Sequence, residues 1–251
     1  MEFKKPVWKK FVLFVCSLAF WLLFWHLAAV ITNIPILLPT PVSVAKTLFS
    51  LLPDGSFWLT VFSSLLRVTA GFFLGLFLGA ILALAVSFVP LLESFFSVPI
   101  SCLKTAPVAS FIILVNLWLQ TEQVTVLISF LMVLPLAYRS LLEALRARDE
   151  QMLTMAKHYR LTRLQIFLHL SLPSMRAALK SVCSVGMGFA WKAGVAAEVI
   201  VLVPHSLGEQ LYDAKVFLQT EQLFAWTIVV ILVSLLLEKG LALLFRKEGG
   251  R

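Results

Sequence analysis

The sequence predicts an all-α integral membrane protein: one transmembrane domain over residues 1–251, with six spans and both termini cytoplasmic. Three observations carry that expectation. Of the 251 residues, 60% are hydrophobic and only 14% charged, far from the balance of a water-soluble domain. Uncharged runs of membrane-crossing length recur along the chain. Lys and Arg gather in alternate connecting segments. The formal charge of +8 does not mark a nucleic-acid binder, because the basic residues lie between apolar runs and not on one face of a soluble fold. Cys16, Cys102 and Cys183 sit in or beside apolar stretches without a CxxC pair, which points to packing and away from disulfides or zinc.

Lys4, Lys5, Lys9 and Lys10 form a basic tail (1–10) ahead of an uncharged run, 11–31. Its 21 residues exceed the roughly 7 to 15 of a secretory signal core and suffice to cross about 30 Å of hydrocarbon. This run is expected to remain as the first span. The outer segment 32–60, "NIPILLPTPVSVAKTLFSLLPDG", breaks the helix with prolines and then offers a short apolar helix along the interface. In the second span, 61–88, "SLLRVTAGFFLGLFLGA" puts Gly71, Gly75 and Gly79 on one helix face. That spacing allows close helix packing in lipid, although membrane helices also tolerate scattered glycines.

Runs at 105–120 and 123–138 predict the third and fourth spans, each 16 residues long. The fifth is expected at 181–203 and the sixth at 222–245. Sixteen of the 21 Lys and Arg fall in 1–10, 89–104, 139–180 and 246–251, against only Lys46 and Lys215 in the intervening outer segments. The bias sets the orientation and makes 139–180 a cytoplasmic loop.

Within that loop, "DEQMLTMAKHYRLTRLQIFLHLSLPSM" carries Met152, Leu153, Met155 and Ala156 at helical spacing. A second apolar stripe follows: Leu161, Leu164, Phe167, Leu168 and Leu172. Two short helices are expected, turning near Arg160 and Thr162, with the second ending before Pro173 because a residue ahead of proline disfavours helix. The pattern suits a knob for a partner's groove. A solvated loop over lipid headgroups would explain the charge but not the stripes.

The stretch resembles the coupling loop of type I ABC importer permeases: Glu-Ala-Ala, three residues, Gly, nine residues, Ile-x-Leu-Pro. Here Thr154, Met155 and Ala156 stand at the triplet, Arg160 at the glycine, and Leu170, Leu172 and Pro173 at the end. Thr154, Met155 and Arg160 depart from that pattern. "LLPTPVSVAKTL", "SLLRVTAGFFLG", "GFAWKAGVAAEVI" and "SLGEQLYDAKVFLQTEQLFAW" occur in the order and spacing of the nitrate, sulfonate and taurine branch, from about residue 37 onward. The resemblance implies a permease of the bacterial cytoplasmic membrane that works as two copies, with ATPase subunits and an extracytoplasmic solute-binding protein. It implies no catalysis and no cofactor in this chain, ATP and Mg being held by the ATPase. Independently, the sequence has no G-x-x-x-x-G-K-[ST] phosphate loop. The implied ATPase-coupling residues are Met152, Thr154, Met155, Ala156, Tyr159, Arg160, Leu161 and Pro173. "VPHSLGEQLYDAK" would lie near the docking site of the binding protein.

Lys192 and Glu198 lie within the fifth span, where an unpaired charge costs about 2.5–3.5 kcal/mol or more. Six residues apart, they point about 120° from each other on a straight helix, so each needs its own partner or water. With Asn116 and Trp191 they are the candidate translocation-path residues. Glu198 matches an acid usual in the branch, whereas Lys192 replaces an apolar residue. A buried cation favours an anionic solute; snorkelling or a structural salt bridge is the alternative. Asn116 and Trp118 could instead bond between helices. His26, His158 and His169 have no metal-ligand spacing. Relatives in the branch carry sulfonates, taurine, nitrate, bicarbonate or thiamine pyrimidine precursors. From other classes, an ion-coupled secondary transporter would show inverted repeats, which the sequence lacks, and a scaffold that recruits an ATPase would explain the knob alone.

Overall fold

The computed structural model describes residues 7–147 and 150–246. Among them are eleven α-helices and one π turn. Five helical segments are long and apolar enough to cross a membrane: Val12–Thr32, Gly55–Phe88, Thr121–Arg146, Phe167–Val201 and Thr220–Leu241. A sixth crossing exists only if a pair of helices bent by 102° counts as one span.

The chain divides into two compact units, Met1–Trp58 with Gln210–Val229, and Leu59–Glu209 with Val230–Arg251. In the first, helix α1 (Val7–Thr32) ends where Asn33 takes a left-handed conformation, which asparagine tolerates better than most residues. Helix α2 (Pro41–Leu51) opens on Thr40, whose hydroxyl accepts the Ser43 amide at 3.2 Å, while Pro41 occupies the first turn, where a missing N–H costs nothing. Trp25 donates its indole N–H to the Pro39 carbonyl (3.1 Å) and stacks on Phe224; Phe57 stacks on Trp226.

The second unit is built around α6 (Thr121–Arg146) and α9 (Leu172–Val201), whose inward faces carry most of its buried side chains. Along α3 (Gly55–Phe88), Gly71, Gly75 and Gly79 lie directly against α6: a Cβ on Gly75 would come within 2.8 Å of the Phe130 carbonyl, and one on Gly79 within 2.7 Å of Ala137 Cβ. Backbones meet there because nothing larger than hydrogen intervenes. One apolar cluster joins Ala83, Val86, Ile100, Leu141, Leu145 and Met175; another joins Ile112, Val115, Val124, Ile128, Ala193 and Ala197.

Three expectations need correction. The third span was expected as one helix over 105–120, but α4 (Leu91–Thr105) runs through most of the supposed connector and α5 (Val108–Asn116) has only nine residues, roughly 14 Å. Ala106, preceding Pro107, is extended and ends α4. The loop 139–180 holds two short helices turning near Arg160, as expected, α7 (Glu150–His158) and α8 (Arg163–Ile166) with a π turn (Phe167–Ser171), but it is shorter than expected, because α6 continues to Arg146 and α9 begins at Leu172. Pro173, expected to follow the end of a helix, lies instead in the first turn of α9. The widened π turn just before it, with Leu172 donating to the Phe167 carbonyl, carries the helical path past a residue that has no N–H. Helices α10 (Leu207–Val216) and α11 (Thr220–Arg246) complete the chain.

Candidate functional site

Helix α7 closes in a Schellman-type turn. The Leu161 amide reaches back to the Ala156 carbonyl (3.0 Å), and Arg160 holds the left-handed conformation at φ 53°. This is the position at which the coupling-loop pattern has glycine. Thr162 and Gln165 then form a capping box, the Thr162 amide to Gln165 Oε1 at 2.8 Å and the Gln165 amide to Thr162 Oγ1 at 3.3 Å. Stop and start signals this close together produce a tight helix–turn–helix.

Met152, Met155 and Tyr159 project from one side of α7, exposed by 56%, 58% and 77%, and Leu161 follows at 37%. Thr154, Met155, His158 and Tyr159 line a shallow groove of about 400 Å³. Ala156 is only 4% exposed, so it packs inward and does not share the projecting surface. Pro173 is likewise separated from that surface, in α9.

The second constellation surrounds Glu198, fully buried in the last turn of α9. Its Oε2 accepts the Ser64 hydroxyl at 2.8 Å and the Gly208 amide at 3.4 Å; Oε1 lies 4.0 Å from Arg67 Nη1. Ser64 also accepts the Leu207 amide at 2.9 Å, and Arg67 Nη2 donates to the Pro204 carbonyl at 3.3 Å. Beyond it, Glu122 Oε1 stands 3.8 Å from Arg67 Nη2. The carboxylate therefore sits against the first amides of α10, where the helix dipole favours negative charge. Ser206 caps that helix by accepting the Glu209 amide at 3.0 Å. Gly208 fits because a Cβ there would strike the backbone and Cβ of Glu198.

Among the candidate path residues, Trp191 is fully buried and donates its indole N–H to the Val230 carbonyl at 3.0 Å, so it locks α9 to α11 and does not line an open surface. Glu198 is equally enclosed. Lys192 is exposed, in a stripe along α9 with Val185, Phe189, Ala196 and Ile200. Among the described residues no carboxylate lies within ion-pair distance of it. Asn116 is exposed at the end of α5. Sequence reasoning missed Arg67 altogether, although a lone arginine inside "SLLRVTAGFFLG" needs a counter-charge as much as Glu198 does. No group of three His, Cys, Asp or Glu among the described residues could hold a metal.

Residues 71–247 match the family model described as binding-protein-dependent transport system inner membrane component. The chain is 23% identical, over 98% of its length and 92% of the relative's, to the taurine transport system permease protein TauC of Escherichia coli (strain K12). It is 26% identical, over 84% of its length and 76% of the relative's, to SsuC of Bacillus subtilis (strain 168), named as an aliphatic sulfonates transport permease protein. An ABC importer of this architecture draws its energy from a separate ATPase and its solute from a binding protein. The chain belongs to the family of binding-protein-dependent transport system inner membrane components, as a non-catalytic, multi-pass permease subunit.

Proposed function

We propose that this permease carries a small organic anion of the sulfonate type into the cytoplasm, as one of two identical copies that together line the path. The N- and C-termini face the cytoplasm, and the bent pair α4–α5 completes a sixth crossing. The projecting face of α7, with Met152, Met155 and Tyr159, seats in a groove of the ATPase, while the turn and helix at 204–216 face the binding protein.

The observation that carries the anion reading is Lys192, a cation exposed on an otherwise apolar stripe of α9 with no carboxylate partner among the described residues. Facing hydrocarbon it would cost about 2.5–3.5 kcal/mol or more, so it faces a watered path, where it attracts anions. The solutes in the names of the two relatives, taurine and aliphatic sulfonates, share a sulfonate group, the negatively charged end that Lys192 would attract.

The test is uptake into proteoliposomes holding the permease, its ATPase and its binding protein. Taurine or alkanesulfonates should enter in an ATP-dependent way, and Lys192→Met should slow entry while ATP hydrolysis continues. Uptake of a neutral or cationic solute in preference to sulfonates, or unchanged uptake in Lys192→Met, rejects the reading.

A further inference from the structure

Where the chain turns at Ala106 and Pro107, it leaves a cavity of about 310 Å³ between the α4–α5 bend, α6 and α9. Lys104 from the last turn of α4 and Arg139 from α6 contribute its charges; no acid lines it, and the other lining residues, Met132, Pro135 and Phe189 among them, are apolar. Neither cation has a carboxylate within ion-pair distance among the described residues. The nearby Glu93 is already engaged by a two-pronged ion pair with Arg146. Two cations without a direct ion-pair partner, at an apolar recess of this size, suit a small molecule with an anionic head and a short hydrocarbon body.

Phe189 joins this cavity to the exposed stripe of α9, because Lys192 follows it by three residues, less than one helical turn. We propose that the cavity is a second station for the transported solute, on the cytoplasmic side of Lys192. There Lys104 and Arg139 receive the sulfonate group, and Met132 and Phe189 pack its carbon chain. The inference rests on the sulfonate reading above and adds a site to it.

The complete transporter in proteoliposomes tests it. Lys104→Gln and Arg139→Gln should each slow sulfonate uptake about tenfold, the worth of one charge-assisted hydrogen bond, while binding-protein-stimulated ATP hydrolysis persists. Met132→Ala, which enlarges the apolar half, should raise uptake of hexanesulfonate relative to propanesulfonate. Normal uptake in both charge variants, or an unchanged chain-length ratio in Met132→Ala, overturns the station. An anionic lipid headgroup is the other source of the same charge. If wild-type transport fails in pure phosphatidylcholine, and phosphatidylglycerol rescues the wild type but neither charge variant, the cavity holds lipid and the station is likewise overturned. Failure of the wild type to import any sulfonate in either lipid instead rejects the parent reading.

Discussion

The Ser64 hydroxyl is held from both sides: it gives its proton to Glu198 Oε2 at 2.8 Å and accepts the Leu207 amide at 2.9 Å. One small side chain on α3 thus links the buried end of α9 to the start of α10. Ser64→Ala should destabilise the purified protein by about 1–3 kcal/mol, since it leaves the Leu207 amide unpaired and Glu198 with one fewer donor. Thermal unfolding in detergent measures it. Glu198→Gln should cost about 1–3 kcal/mol, because it weakens the Ser64 and Gly208 contacts and leaves Arg67 only the Pro204 carbonyl and the exposed Glu122 carboxylate, and adding Arg67→Met should recover part of that loss. Strictly additive losses in the double variant would show that the two charges do not interact.

Gly75 and Gly79 of α3 should differ sharply from glycines that touch nothing. Gly75→Ala and Gly79→Ala place a methyl group against α6 at 2.8 and 2.7 Å and should each cost about 1–3 kcal/mol. Gly240→Ala, with nothing within 4 Å, should instead gain up to about 1 kcal/mol from helix propensity. Equal melting shifts in all three would mean that α3 and α6 do not approach as closely as described.

Arg160 occupies a left-handed position that costs a side-chain-bearing residue about 1–2 kcal/mol. Arg160→Gly should therefore stabilise the turn between α7 and α8, and Arg160→Val should weaken it further, because a β-branched residue fits φ 53° worse. Amide hydrogen exchange at Leu161, whose N–H is bonded to the Ala156 carbonyl, reports both changes. Faster exchange in Arg160→Gly would contradict the assignment.

Cysteines replacing Met155 and Tyr159 should cross-link to the ATPase in the assembled transporter, whereas one replacing Ala156 should not, since that position is buried inside the chain. Capture through Ala156→Cys but not Met155→Cys would place the partner on the wrong face of α7.

Class was legible in the sequence because lipid imposes blunt rules. A chain that cannot leave backbone polar groups unpaired in hydrocarbon must cross it as long apolar helices, and run length shows where these can be. The lack of a phosphate loop and the helical spacing of Met152 and Met155 are equally local features. The tight turn after α7 was local too, since Thr162 and Gln165 stand three apart.

Tertiary structure decided what periodicity cannot encode. Ser64 and Glu198 are 134 positions apart, and only the packing of α3 against α9 makes them neighbours. Trp191 and Lys192 are adjacent in sequence, yet one is sealed and the other open, because a helix turns about 100° per residue and its neighbours determine which directions are covered. Pro173 became part of a helix and not its end for a similar reason: the cost of a proline depends on the turn before it, and a π turn there removes the clash. Local chemistry selected helices and membrane; the contacts between distant segments selected which charges are buried beside one another and which remain exposed.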